Sequence, residues 1–404
     1  MMTPEQIAVV QATVPVLEVH GEDITRHFYR RMFTHHPELK NIFNQGHQAS
    51  GNQQRALAGA VYAYARNIAN PGVLEAALTR IAHKHVSLGI EPAQYSIVGT
   101  HLLASIREVL GEAATDEILD AWKAAYGQLA DLLIAQEASL YEANDAVPGS
   151  WRGWRKLKVE RKVRESSEIT SFYLVASDGS ALPTFRPGQY VSVKRHIPGL
   201  ELEQPRQYSL SDAPHGRWLR ISVKREDGDA AAQRPAGWVS SELHANLNEG
   251  DELHVSAPYG DFYLDESRDT PVVMISGGVG LTPMMSMLNA LVWQGSRRRV
   301  LFVHACRDAQ VHAMKTRLNR IVEECPQVTR AVFYETVTPQ DVRGRDHDFA
   351  GLVDLDALGE ALLMPQADYY LCGPLPFMQA QRDGLLARGV DAERIHWEVF
   401  GSGN

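Results

Sequence analysis

The chain has 404 residues, 44% hydrophobic and 22% charged, with a formal net charge of -9. Such a length exceeds one ordinary core and implies roughly two or three domains. The acidic balance argues against nucleic acid or an anionic membrane as partner, because both attract basic patches. The three cysteines, Cys306, Cys325 and Cys372, are confined to the last third, which predicts free thiols in a reducing cytoplasm.

Residues 1–6 hold an acid and no basic run, so no secretory leader is expected. Over residues 1–143 apolar residues recur at three- and four-residue steps. This predicts helices near 4–19, 22–35, 51–68, 73–88, 93–110 and 116–143, with Pro4, Pro37, Pro71 and Pro92 near helix starts. Residues 144–154, carrying Pro148, Gly149, Ser150 and Gly153, read as a linker. From 155 to 265 alternating runs at 170–175, 190–194, 219–224 and 252–257 predict an antiparallel β-barrel. From 266 to 404 apolar runs at 272–276, 300–304, 331–334 and 369–372 alternate with helical stretches, which predicts an α/β doubly wound parallel sheet. The charge-free run 270–296 is long enough for a membrane span, but Gly277, Gly278, Gly280 and Pro283 interrupt it; a strand, a turn and a helix explain it better.

A flavin needs an aromatic wall, a polar contact near its N5, and cations or backbone amides for its phosphates. Arg206-Gln207-Tyr208-Ser209 offers these residue types, with Pro187-Gly188-Gln189-Tyr190 before it and Gly237-Trp238-Val239-Ser240 after it. Gly277-Gly278-Val279-Gly280-Leu281-Thr282-Pro283 follows an apolar strand. Its glycines let backbone approach phosphate, and Pro283 suits a helix's first turn. Cys372-Gly373-Pro374 ends another apolar strand; no base stands nearby in sequence, so Cys372 reads as a packing or nicotinamide-edge residue.

In this order the motifs resemble the flavin-then-nicotinamide module of the ferredoxin–NADP reductase family. The resemblance implies Arg206 on the flavin phosphate, Gln207, Tyr208 and Ser209 along the flavin, and Tyr190 near the ring and adenine side. It places Gly237, Val239 and Ser240 at the pyrophosphate, at a helix start. Residues Gly277, Gly278, Val279, Gly280, Leu281, Thr282 and Pro283, with Cys372, Gly373 and Pro374, would form the dinucleotide site. The terminal Glu398-Val399-Phe400-Gly401-Ser402 would cover the flavin. Phe400 would lie on the ring face and Glu398 near its edge, with Ser402 in place of the family's usual proline. Arg307, beside Asp308, is compatible with NADH or NADPH.

In the helical third, polar residues stand on apolar stripes. His85 shares a face with Leu74, Leu78, Ile81 and Leu88; Gln53 with Leu57, Val61 and Tyr64; Glu137 with Tyr126, Ala130, Leu133 and Leu140. Buried polar groups cost free energy unless partnered. A hydrogen-bonded core histidine explains any one of them alone. A stripe histidine in a globin-sized segment ahead of a redox module resembles the flavohemoglobin family, over the whole chain. That resemblance implies His85 as the haem-iron ligand, with Lys84 beside it influencing the haem potential or the junction with the flavin. Tyr95 and Glu137 would orient the imidazole and enrich its electron density. On the distal side Tyr29 would donate to bound oxygen, Gln53 would assist it, Leu57 would shape the pocket and Phe43 would wedge the haem. The chain lacks Cys-x-x-Cys-His, which favours non-covalent haem b, and no zinc-type spacing occurs.

Taken whole, the resemblance implies an all-α globin, an antiparallel β-barrel FAD domain and an α/β doubly wound parallel-sheet NAD(P) domain. Its activity would be NAD(P)H-dependent nitric oxide dioxygenation. Hydride passes to FAD, single electrons pass to haem, and O2 at the haem oxidises NO to nitrate. The expectation is a cytoplasmic monomer with haem b, FAD and NADH or NADPH as cofactors, and with no nucleic acid partner or integral membrane segment. An oxygen or redox sensor, and a reductase of alkyl hydroperoxides, quinones or ferric iron, are rivals using the same relay.

Overall fold

The computed structural model describes residues 2–229 and 235–400. Its first layer is helical: α1 (Pro4–Ala12), α2 (Val14–His35), α3 (Gln45–Ala49), α4 (Asn52–Arg66), α5 (Glu75–Leu88), α6 (Pro92–Leu110) and α7 (Asp116–Asp145). Thr3 and Gln6 close a capping box at the start of α1. The first helix breaks at Thr13, not near residue 20 as the periodicity predicts. There the Thr13 hydroxyl donates back to the Val10 carbonyl at 2.6 Å, and Pro15 sits in the next first turn. Gly21, which falls between the two predicted helices, is interior to α2 and faces α4, where an added Cβ would meet Ala58 Cβ at an ordinary 3.5 Å. Asn44 caps α3, an element the sequence pattern did not foretell. Phe28, Met32 and Trp122 anchor the buried core between these helices, each contributing roughly 1.5–3 kcal/mol or more of apolar burial.

The second layer is β1 (Trp154–Arg164), β2 (Ile169–Ala176), β3 (Tyr190–Ile197), β4 (Leu202–Ser209) and β5 (Leu219–Lys224), then α8 (Trp238–Asn246) and β6 (Glu252–Ser256). These strands form a six-stranded antiparallel sheet in the order β4-β3-β6-β1-β2-β5. It curls into a half-barrel until the edges meet: Leu210 bridges Ile221, and the Ser211 amide donates to the Arg220 carbonyl at 2.9 Å. Val239 and Leu243 of α8 join the core inside the curl.

The third layer holds β7 (Val272–Gly277), α9 (Leu281–Trp293), β8 (Val300–Cys306), α10 (Lys315–Glu324), β9 (Val328–Tyr334), β10 (Phe349–Ala350), β11 (Asp368–Gly373), α11 (Leu375–Ala387) and β12 (Ile395–Val399). Its six strands are parallel, in the order β10-β9-β8-β7-β11-β12. The order reverses between β7 and β11, and the carboxyl ends at such a switch point are where sheets of this kind bind ligands. The charge-free run 270–296 becomes β7, the glycine turn and α9, whose buried faces explain its apolarity. Among the described residues no helix is long and apolar enough to cross a membrane.

Candidate functional site

His85 lies in the last turn of α5, stopped by Gly89 at φ +74°, while α6 carries Tyr95 and α7 carries Glu137. The three converge. His85 Nδ1 stands 2.8 Å from Glu137 Oε1 and 2.9 Å from the Tyr95 hydroxyl, and that hydroxyl donates to the same carboxylate oxygen. Glu137 is 2% exposed. Burial, and then Glu137, push the Tyr95 phenol pKa up, so it remains a proton donor. A carboxylate at Nδ1 holds the ring proton there, which leaves the lone pair on Nε2. The imidazole keeps 30% of its side-chain surface although it stands on an inward stripe.

Across the helical layer, Tyr29 on α2 is buried beside Phe33 and Phe43, with ring centroids at 5.9 and 5.7 Å. Burial pushes its phenol pKa up, only partly offset by Gln53, so Tyr29 stays neutral and keeps its proton to donate. Gln53 itself is half-buried; the neighbouring Gln54 is the one enclosed, with its backbone carbonyl accepting from Thr25 at 3.0 Å. Phe43, Leu57, Val61 and Ile81 remain partly uncovered although they pack on the core. Partly uncovered apolar side chains, an imidazole whose Nε2 has no hydrogen-bond partner among the described residues, and a neutral phenol suit a flat macrocycle such as haem. Among the described residues no group of three or more His, Cys, Asp or Glu could hold a metal ion.

The last turn of α5 packs on the curled sheet. Lys84 is largely enclosed, and burial lowers its pKa. On β4, Arg206 donates to the Pro205 carbonyl at 2.7 Å but has no carboxylate in ion-pair range among the described residues. Burial lowers its pKa, so an anion there would relieve it, as a phosphate would. Tyr190 on β3 pairs in register with Ser209, and burial raises the phenols of Tyr190 and Tyr208. Gln207 is exposed and reaches Ser87 at 3.4 Å. Gly237 precedes α8; Ser240 accepts from the Glu226 amide and donates to the Gly237 carbonyl, both at 3.3 Å. The Val239 side chain is core, so only its amide faces outward chemistry. Sequence reading missed Ser87, His83 and Gln204. His83 accepts from the Gly260 amide at 3.1 Å, and Gln204 accepts from the Gln45 amide at 3.0 Å, joining helices to sheet. Polar residues of this kind carry no periodic signal, because their partners lie far along the chain.

At the parallel sheet Gly277 ends β7, Gly278 adopts φ +54°, and Leu281, Thr282 and Pro283 begin α9. A Cβ on Gly278 would meet nothing, so its glycine answers a left-handed backbone. A Cβ on Gly280 would fall 2.1 Å from the Cys372 carbonyl oxygen, so this glycine lets the two strand ends touch. Val279 packs against the core beside it. Cys372 and Gly373 end β11 opposite Glu398 and Val399 of β12, and Pro374 precedes α11. Burial, then Glu398, hold Cys372 as a thiol rather than a thiolate. Burial, then Asp261, push Glu398 up to about 8 despite Arg80. Phe400 is exposed, while Gly401 and Ser402 lie outside the described residues. Arg307 is ion-paired with Glu168 across the two sheets.

A globin family profile matches residues 26–133, and an oxidoreductase NAD-binding domain profile matches residues 274–383. The flavohemoprotein of Bordetella pertussis is 60% identical over 405 residues, covering 100% of this chain and 99% of that one. The crystal structure of a Malassezia yamatoensis flavohemoglobin with bound FAD and heme is similar at TM-score 0.84 and 30% identity, covering 99% of both chains. The flavohem-like FAD/NAD-binding domain of a nitric oxide dioxygenase from Vibrio cholerae has TM-score 0.54 and 40% identity, covering 61% of this chain and 98% of that one.

Proposed function

The chain belongs to the flavohemoprotein family, and on that premise we propose that it is an NAD(P)H-dependent nitric oxide dioxygenase. It is an oxidoreductase that uses haem, FAD and a pyridine nucleotide. When bound, the flavin would take hydride from the nucleotide and release single electrons, and the haem would supply the iron at which dioxygen oxidises nitric oxide to nitrate.

The residues act around that chemistry. His85 offers Nε2 to iron while Glu137, steadied by Tyr95, draws on Nδ1 and makes the imidazole a stronger donor. Such a ligand favours activating oxygen over storing it. Tyr29, kept neutral by burial and met by Gln53, donates a hydrogen bond to a diatomic ligand. Leu57 and Phe43 shape the cleft and exclude water. Arg206 neutralises the flavin phosphate, while Tyr190, Gln207, Tyr208 and Ser209 line the ring. The Gly277–Pro283 turn and Cys372–Pro374 hold the dinucleotide where β7 and β11 diverge. The three free thiols favour a reducing compartment such as the cytoplasm.

The carrying observation is the hydrogen-bonded Tyr95–Glu137–His85 triad, its carboxylate buried, in the same helical layer as neutral Tyr29. The name of the Vibrio cholerae relative supports the choice of substrate. The test is nitric oxide consumption by holoenzyme with NADH in aerated buffer, with nitrate quantified. Nitrate should match the nitric oxide lost. Tyr29→Phe should cut this rate roughly 100-fold, as the loss of a preorganised donor does, and leave dye reduction by the flavin intact. Equal loss of both activities would refute the role of Tyr29; negligible consumption with both cofactors reducible would redirect the assignment to the sensor or hydroperoxide readings.

A further inference from the structure

Ser87 stands two residues past His85, in the last turn of α5, and is 1% exposed. Its hydroxyl donates to the Lys84 carbonyl at 2.8 Å. It accepts from the Ser192 hydroxyl of β3 at 2.9 Å and from the Gln207 amide of β4 at 3.4 Å. A serine hydroxyl has one proton and two lone pairs, so all of its capacity is spent. Ser192 is itself fully buried, and its amide donates to Ser256 Oγ at 2.9 Å, which extends the tie to β6. Tyr190, two residues before Ser192 on β3, adjoins this hub and packs on Val86. On either side of the hub, His83 accepts from the Gly260 amide and Val86 packs on Tyr190 and Tyr259. The rest of α5 packs on α7, within the helical layer.

We propose that Ser87 is the positioning residue that registers the His85 helix against the flavin-facing strands, and thereby sets how fast electrons cross between the two cofactors. This rests on the reading of His85 as haem ligand and of Tyr190 and Gln207 as flavin residues. The step is balanced: each NADH leaves NAD+, one proton and two electrons, and each electron reduces one ferric iron to ferrous. Ser87 takes no part in that chemistry. It fixes the helix backbone at Lys84 to the strand bearing Gln207, so that a small slip of α5 along the sheet is resisted by hydrogen bonds that only one register satisfies.

The experiment is anaerobic stopped-flow reduction of the holoenzyme by NADH, following flavin and haem bands separately. Ser87→Ala should leave flavin reduction and both midpoint potentials unchanged, slow haem reduction by at least roughly tenfold, and speed amide exchange over residues 84–90. Ser192→Ala removes the other end of the same bond and should slow haem reduction likewise, while the double variant should be no slower than either single one. Unchanged haem reduction in the fully loaded variants overturns the proposal, as does equal slowing of both phases. If Ser87→Ala fails to fold, Ser192→Ala alone decides. Retention of the haem band by His85→Ala would instead defeat the underlying ligand assignment, whatever the Ser87 result.

Discussion

At Glu137 a carboxylate is enclosed in the helical layer with the Tyr95 hydroxyl and His85 Nδ1 as its hydrogen-bond partners. Replacing it by glutamine keeps the volume and exchanges a charged acceptor for a weak one. Glu137→Gln should retain haem, lower the iron–histidine stretching frequency and reduce nitric oxide turnover by roughly 10–100-fold, the range for loss of such a support. An unmoved stretching frequency would contradict the assignment. Much of this was legible in the chain, because a polar residue at a three- or four-residue step from Leu133 and Leu140 demands a partner. Gln53 was legible only in part. It meets Tyr29, yet its neighbour Gln54 takes the buried position, since small rotations of a helix exchange adjacent residues between core and cleft.

Among the elements, the turn between β7 and α9 shows two glycines kept for different reasons. Gly280→Ala would drive a Cβ into the Cys372 carbonyl, a contact between backbones that no rotamer relieves. It should separate β7 from β11, raise the KM for NADH by roughly tenfold or more, and cost several kcal/mol of stability by calorimetry. Gly278→Ala meets no neighbour and should cost only about 1–2 kcal/mol, for its left-handed φ. Comparable losses in the two variants would show that conformation, not contact, governs the turn. The helices teach the converse. Gly21 falls between the two predicted helices and yet lies within α2. The true break at Thr13 coincides with its hydroxyl's bond back to the Val10 carbonyl and with Pro15, both local signals outweighed by an unbroken apolar period.

Over the whole molecule, acid should act through histidines buried in the parallel-sheet layer. His304 lies beside Ser276 at 2.9 Å and His312, and burial pushes it from 6.5 down to about 4. Burial, then His304, lower His312 further. In the unfolded chain both titrate near their ordinary value, so below about pH 6.5 the unfolded state binds protons that the folded state refuses. Stability is therefore full above that pH and falls as pH drops towards 4, by roughly 3 kcal/mol for His304 alone. Thermal denaturation between pH 7 and 4.5 should show the decline, and His304→Gln should flatten it. An equally steep decline in that variant would mean that other groups govern acid sensitivity.

The order of layers was determined by sequence alone: periods of 3.6 and 2 residues mark helix and strand, and glycine or proline at a turn restricts the backbone wherever the chain goes. The curl of the antiparallel sheet, the closeness of Gly280 to Cys372, and the tie from Ser87 to Ser192 and Gln207 were decided only by tertiary structure. The physical reason is that hydrogen bonds and steric contacts depend on distance in space. Ser87 and Ser192 stand 105 residues apart in the chain, and no local pattern records that they will meet at 2.9 Å.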